Sequence, residues 1–319
     1  MNKAEAAAWL QAQTQVIILI HQSPDGDCIG SGYALAAMLR LMGKHAVVRC
    51  CDPILPRFSF LIEDEVPDVV DEEQATVMTV DVADRKLLGD LDAVYGDRVQ
   101  LAIDHHRTHC PFATELCLDA EAASACEIVY EIGRLLPISL TTQIVKRLYT
   151  GMATDTGCFQ YSNTTPRTLR HVADLMEQFP DVPYDKINRA MFVVKSMQRL
   201  HLEQELMQQL QSYLDGKCMV ICITLAFLEA NHLQPEDAEG WANFPLQIEG
   251  VEVGITIKER EPGVFKISMR STDQVDVSAI CQQFGGGGHV RAAGCRIEGT
   301  VETVRQQLVD AVERSLATQ

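Results

Sequence analysis

Val16-Ile-Ile-Leu-Ile20-His21-Gln-Ser-Pro24-Asp25-Gly26-Asp27-Cys-Ile-Gly30 is the stretch that decides the fold. Five consecutive apolar residues, four of them β-branched, suit a strand buried on both faces, and five are far too few to cross a bilayer. The apolar run stops at His21. Pro24 and Gly26 then turn the chain, so that Asp25 and Asp27 project the same way, and a helical pattern follows over Ile29–Met42. A strand ending in a polar turn that opens into a helix is the first step of a parallel α/β sheet.

The same pattern recurs downstream. Ala46–Cys51, Val77–Asp81 and Val99–Asp104 read as further strands, with a short helix near Arg85–Leu88 and helical patterns over Glu121–Leu136 and Thr141–Ala153. The expected fold class is α/β, a parallel sheet with helices on both faces. Thr165 caps a further helix, with Pro166 at its first position, through Phe179. Tyr184–Tyr213 contains no Gly or Pro and reads as a long amphipathic bridge. Beyond it, Cys218–Thr224, Val251–Lys258 and Val264–Arg270 are strand-like, Val275–Phe284 and Val301–Ala317 helix-like. The expected organisation is a first domain over 1–185, a helical linker over 186–213 and a smaller α/β domain over 214–319.

Composition narrows the function. The chain has 319 residues, 47% of them hydrophobic and 22% charged, in the range of globular proteins. Its formal net charge is −17, with no basic stripe of the kind that long polynucleotides require. Eleven cysteines are scattered without a Cys-x-x-Cys pair and read as reduced thiols. Residues 1–15 lack the apolar core of a secretory signal, so a cytoplasmic, membrane-free protein is expected.

In each strand of the first half that ends in polar residues, those residues sit at the carboxyl end: His21, Asp25 and Asp27 after the first, Asp81 after Thr76–Val80, Asp104-His105-His106 after Val99–Ile103. Ligands of open parallel sheets bind beyond these strand ends. Singly, Asp-Gly-Asp is usually a turn, Asp81 a helix cap, and Asp155 in Thr154-Asp-Thr-Gly157 a terminal turn residue. Together, leaving Asp104 aside, they deliver four acids and three imidazoles to matching ends. Asp25, Asp27, Asp81 and Asp155 carry four charges, which two divalent cations neutralise. Mixed carboxylate and imidazole ligands point to Mn²⁺, with Mg²⁺ or Co²⁺ as substitutes.

These motifs, His-x-x-Pro-Asp-x-Asp-x-x-Gly, the Asp81 strand end, Asp-His-His and Thr-Asp-Thr-Gly, resemble the four motifs of the DHH phosphoesterase superfamily, in the same order. The resemblance implies one metal on His21, Asp25 and Asp81 and a second on Asp27, Asp81, His105 and Asp155, with Asp81 bridging. It implies that Asp104 orients a histidine and that His106 stands at the scissile phosphate as contact or acid. Cys28 and Cys158 are unusual in these motifs and fall outside the ligand positions.

In the second half, Phe284-Gly-Gly-Gly-Gly-His289 leaves backbone N–H groups open to phosphate oxygens. Arg270, by position alone an ordinary surface arginine, precedes it with Ser271, and Asp276-Val-Ser and Ala292-Ala-Gly294 complete a set similar to the DHHA1 domain. Carried over, Arg270, Ser271, Gly286, Gly287, Gly288 and His289 grip a terminal phosphate of the substrate.

The pairing is closest to the NrnA-like group. It implies hydrolysis of short oligoribonucleotides to mononucleotides, of pAp to AMP, or of both. A phosphodiesterase for pApA or c-di-AMP is the alternative, and a non-catalytic nucleotide-binding regulator is the reading of another class. A RecJ-like exonuclease would carry further domains and a basic channel, and family II pyrophosphatases lack the glycine loop. The resemblance allows a homodimer through the first domain.

Overall fold

The computed structural model describes residues 1–233 and 240–317. The chain divides into two compact units, Met1–Val194 and Lys195–Gln319.

The first unit opens with helix α1 (Lys3–Ala12), which the Ala-rich, weakly amphipathic sequence did not announce. A capping box between Asn2 and Glu5 starts it. Strands β1 (Gln15–Leu19), β2 (His45–Arg49), β3 (Thr76–Val80), β4 (Val99–Asp104) and β5 (Glu115–Leu118) form one sheet in the order β2-β1-β3-β4-β5. All its pairings are parallel. The four-residue edge strand β5 was too short to read from its pattern.

Successive residues of the strands face opposite cores. Val16, Ile18, Met78, Val80, Leu101 and Ile103 pack under α2 (Gly26–Leu41), α4 (Ala125–Gly133) and α5 (Thr142–Asp155). Ile17, Leu19, Val77 and Val99 face a thinner cover that includes a 3₁₀ stretch, Arg85–Leu91, followed by the single-turn α3 (Asp92–Tyr95). Both faces are covered, unequally. Helix α2 begins at Gly26, three residues before the apolar pattern does, because Asp25 caps it. The order reverses at β1, which lies between β2 and β3, so the crevice beyond β1 and β3 is the topological switch point where α/β sheets bind ligands.

After α6 (Pro166–Gln178), the stretch read as one bridge from Tyr184 to Tyr213 proves to be broken. Helix α7 (Tyr184–Asn188) runs into a π turn, Arg189–Val193, and the backbone is extended at Val194 and Ser196. Ser196 then caps α8 (Met197–Gln208), and Gln211–Tyr213 is strand β6. The β-branched Val193–Val194 pair and a capping serine end and restart the helix without any Gly or Pro.

The second unit carries β6, β7 (Cys218–Ile223), α9 (Leu225–Ala230), β8 (Val253–Glu261), β9 (Val264–Ser271), α10 (Val277–Gln282), β10 (Gly287–His289), β11 (Ala292–Glu298) and α11 (Val301–Ala317). Its sheet runs β10-β11-β9-β8-β7-β6 and is antiparallel except between β7 and β8. Val253, Ile255, Ile257, Ile267 and Met269 bury against α10 and α11. Among the described residues no helix is long and apolar enough to cross a membrane.

Candidate active site

Each acid of the first unit is fixed by its backbone surroundings. Asp25 Oδ1 accepts the N–H groups of Asp27 (3.0 Å) and Cys28 (3.1 Å), so the residue serves both as cap of α2 and as rim of the site. Asp27, fully buried in the first turn of α2, reaches across to α4. Its carboxylate accepts Ala125 N–H at 2.6 Å and Cys126 N–H at 2.9 Å, the first amides of that helix, whose positive end favours an anion. Asp81 stands just past β3 with φ at +61°, a left-handed conformation that costs a non-glycine residue about 1–2 kcal/mol. That backbone turn swings the carboxylate off the ladder and into the crevice.

The histidines converge on these acids. His21 Nδ1 bonds the Gln22 carbonyl at 2.8 Å, leaving Nε2 facing Asp25 Oδ1 (3.8 Å) and Asp81 Oδ2 (3.7 Å). His105, 7% exposed, holds Nε2 between Asp81 Oδ1 (3.4 Å), Asp155 Oδ2 (3.4 Å) and Asp27 Oδ2 (3.9 Å). Three groups of potential ligands therefore form: His21, Asp25, Cys28 and Asp81; Asp81, His105 and His106; Asp27, His105 and Asp155. Within each group the ligand atoms lie within 4.8 Å of one another, and Asp81 belongs to two of them. The six residues expected as ligands are brought together, and Cys28, set aside in the sequence, stands beside three of them.

Asp81 provides the test of fit for divalent cations. It is 3% exposed, and among the described residues its Oδ1 is buried with no hydrogen-bond partner. Burial, then repulsion from Asp27 and Asp25, raises its carboxyl well above the usual range; burial and the same two acids raise that of Asp155. Burial also raises Asp27, against the attraction of His105. Acids crowded this way around an orphaned oxygen are what a pair of cations would relieve.

Asp104 plays a different part. It is fully buried and accepts His105 N–H (2.8 Å), His106 Nδ1 (2.8 Å) and His109 Nδ1 (2.5 Å). Burial opposes its ionisation, yet the bonds from His106 and His109 hold its carboxyl well below its ordinary value. His109, with its side chain 1% exposed, escaped the sequence reading; it lies five residues past Asp104, in a loop with no periodicity to flag it. Glu127 supports the frame from α4. Its carboxylate accepts Ala123 N–H (2.7 Å), Thr168 Oγ1 (3.1 Å) and Arg167 Nε (3.0 Å).

In the second unit, Ala292 pairs with Arg270 on one side and with His289 on the other. Residues directly opposite on antiparallel strands share a face, so Arg270 and His289 flank the small Ala292 across two strand spacings, about 10 Å. The neighbouring Met269 and Ala293 point into the core. Arg270 Nε bonds Asn243 Oδ1 at 3.1 Å. Ser271 is buried, and its hydroxyl donates to the Val275 carbonyl (2.6 Å), a bracing contact inside the unit.

The glycine run is partly strand. Gly287–His289 is the edge strand β10, and a side chain on Gly286 would meet the Gly294 carbonyl at 2.2 Å. Nothing lies within 4 Å of the position a side chain would take on Gly287. Close packing explains Gly286; open approach is left at Gly287.

Models of the DHH family N-terminal domain and of the DHHA1 domain match residues 15–152 and 219–318. The chain is 31% identical over 307 residues to the bifunctional oligoribonuclease and PAP phosphatase NrnA of Thermus thermophilus, covering 94% of this chain and 90% of that protein. It is 23% identical over 321 residues to the cyclic-di-AMP phosphodiesterase PdeA of Listeria monocytogenes, covering 94% of this chain and 47% of that protein. Among solved structures, an exopolyphosphatase-related protein from Bacteroides fragilis shares the fold with a TM-score of 0.86 at 23% identity, over 98% of this chain and 95% of that one.

Proposed function

The chain belongs to the DHH family, with a DHH domain followed by a DHHA1 domain, and is a phosphoesterase; on that premise we propose that it uses two divalent cations, Mn²⁺ in the first instance, to hydrolyse short oligoribonucleotides to mononucleotides and pAp to AMP. The observation that carries the two-metal reading is Asp81, a buried carboxylate shared by two ligand groups, with one oxygen directed at His21 and the other at His105.

His21, Asp25 and Asp81 would hold one cation, and Asp27, Asp81, His105 and Asp155 the other. Bound there, a cation pair supplies Lewis acidity, making a nucleophile of water and offsetting charge on the phosphoryl group. The chain's own residues do the rest. Asp27 and Asp25 are pinned by backbone amides and need little reorganisation as charge develops. Asp104 accepts a hydrogen bond from His106 Nδ1–H and, against burial, favours the imidazolium form of that ring, whose Nε2–H would be given to the departing oxygen. Arg270 and His289, with the open backbone at Gly287, bind a terminal phosphate of the substrate.

Turnover of RNAs of two to five nucleotides, pAp, pApA and c-di-AMP, each with and without Mn²⁺, tests this reading. Release of mononucleotide from the short RNAs, fastest for the shortest, is expected. Binding without turnover of any of them would contradict it. The likeness to the cyclic-di-AMP phosphodiesterase favours a second reading, in which pApA or c-di-AMP is preferred; the same panel ranks it.

A further inference from the structure

Arg270 is followed by a short loop and His289 by a hairpin turn, and the loop and the turn hold each other. The loop, residues 272–276, follows Ser271 directly and is gripped from one side by Glu252. That carboxylate, on a residue 8% exposed, accepts the N–H groups of Gln274 (2.5 Å) and Val275 (2.9 Å) at Oε1. Its Oε2 takes the Thr272 hydroxyl and, at 3.4 Å, Asp273 N–H. Burial works against its ionisation, yet these donors hold its carboxyl below the ordinary value.

From the other side the loop is gripped by Arg291, which lies in the two-residue turn between β10 and β11, two positions after His289. Its Nη1 donates to the Val275 carbonyl at 2.9 Å and its Nη2 to that of Asp273. Its own carbonyl accepts Ser271 N–H at 3.1 Å. One acid thus collects the loop's N–H groups while one guanidinium collects its carbonyls, and the guanidinium belongs to the hairpin that carries His289. Val275 anchors the loop in the core of the unit, and these grips order the exposed polar residues 272–274, which would otherwise sample many conformations.

We propose that Glu252 and Arg291 are positioning residues for substrate phosphate: by clamping residues 272–276 to the β10–β11 turn they hold the end of β9 against that hairpin, and so keep Arg270 and His289 at the spacing that strand pairing through Ala292 sets. The proposal rests on the reading that Arg270 and His289 bind that phosphate. Neither clamp residue touches the substrate. Their effect falls on binding, not on the metal-centred chemistry of the first unit.

The test is steady-state kinetics of the full chain on pApA with saturating Mn²⁺, for Glu252→Ala, Glu252→Gln, Arg291→Ala and Arg291→Lys, with Arg270→Ala as benchmark. Glu252→Ala and Arg291→Ala are expected to raise KM about tenfold with kcat within about twofold of the parent and bound metal unchanged. Glu252→Gln, which keeps an acceptor, recovers part of the loss. Arg291→Lys keeps the charge but not the two-pronged donor, and does not recover it. If Arg270→Ala raises KM while both alanine variants of the clamp leave it unchanged, the clamp is refuted and the phosphate reading stands. If Arg270→Ala itself leaves KM unchanged, the phosphate reading is at fault. Full recovery by Arg291→Lys would show a simple charge effect, and a fall in kcat or metal content would show damage elsewhere; either overturns the proposal. Should Glu252→Ala fail to fold, the Arg291 pair decides.

Discussion

Replacing Gly151 by alanine should disable the site from behind. Gly151 lies in α5 where that helix crosses the start of α2 and α4. An added methyl would sit 2.2 Å from Cys126 Sγ and 2.6 Å from Asp27 Oδ1. Restoring ordinary contact at 3.4 Å displaces the Asp27 oxygen by about 0.8 Å, and misplacement on the order of 1 Å costs roughly a hundredfold in rate. The global cost is smaller. Overpacking of a core costs about 1–3 kcal/mol, and alanine regains about 1 kcal/mol of helix propensity over glycine. The variant should therefore fold, with a modest fall in urea midpoint, while kcat on pApA with Mn²⁺ drops about a hundredfold. Adding Cys126→Ala removes the sulfur contact, leaving a milder approach to the Cβ of residue 126 at 2.9 Å and the clash with Asp27. The double variant should regain stability and stay inactive. Parental kcat in Gly151→Ala, or recovery of activity along with stability in the double variant, would refute the reasoning.

Three further outcomes are expected. Asp81 has a raised folded-state carboxyl, so its stabilising contribution is present below its unfolded value near ~4 and is lost as pH rises through the folded value. In the metal-free protein, Asp81→Asn should therefore gain in urea midpoint relative to the parent on going from about pH 5 to pH 7.5, and Mn²⁺ should erase the parent's deficit; a pH-independent difference would contradict this. Glu127 has the opposite sign. Burial raises its carboxyl, but His171, the Ala123 amide and Arg167 lower it further, so its contribution is present above about pH 4.3 and fades in acid. Glu127→Gln should cost about 2–3 kcal/mol at neutral pH by urea unfolding, discounted because Arg167 is one-third exposed, with the gap closing below about pH 4. Arg270→Ala should raise KM and leave metal content at the parental value; loss of metal measured by atomic emission would show the residue misplaced.

The parallel sheet and the acids and imidazoles at its strand ends were legible because each polar group interrupts an apolar run. The breaks after Ile20, Val80 and Ile103 are visible without any tertiary information. What escaped depends on contacts far apart in the chain. His109 looks like a loop residue until Asp104 is seen to bind it, and Gly151 looks like a poor helix former until Asp27 and Cys126 are found against it. Cys28 was judged by its place in a motif, whereas its sulfur is placed by the pitch of α2, which turns residue 28 toward His21 and Asp81. The break at Val194–Ser196 was hidden for a local reason: it is made by β-branched residues and a serine cap, without the Gly or Pro that usually marks such a stop. The glycine run was expected as an open loop, and half of it is an edge strand paired with Ala292–Gly294.

Anomalous diffraction from crystals grown with Mn²⁺ measures the arrangement directly. Two peaks roughly 3.5–4 Å apart are expected beyond the ends of β1 and β3, one oxygen of Asp81 on each, with His21 beside the first and His105 beside the second. A lone peak, or a pair of peaks with the Asp81 carboxylate turned away from both, would contradict the shared-carboxylate centre.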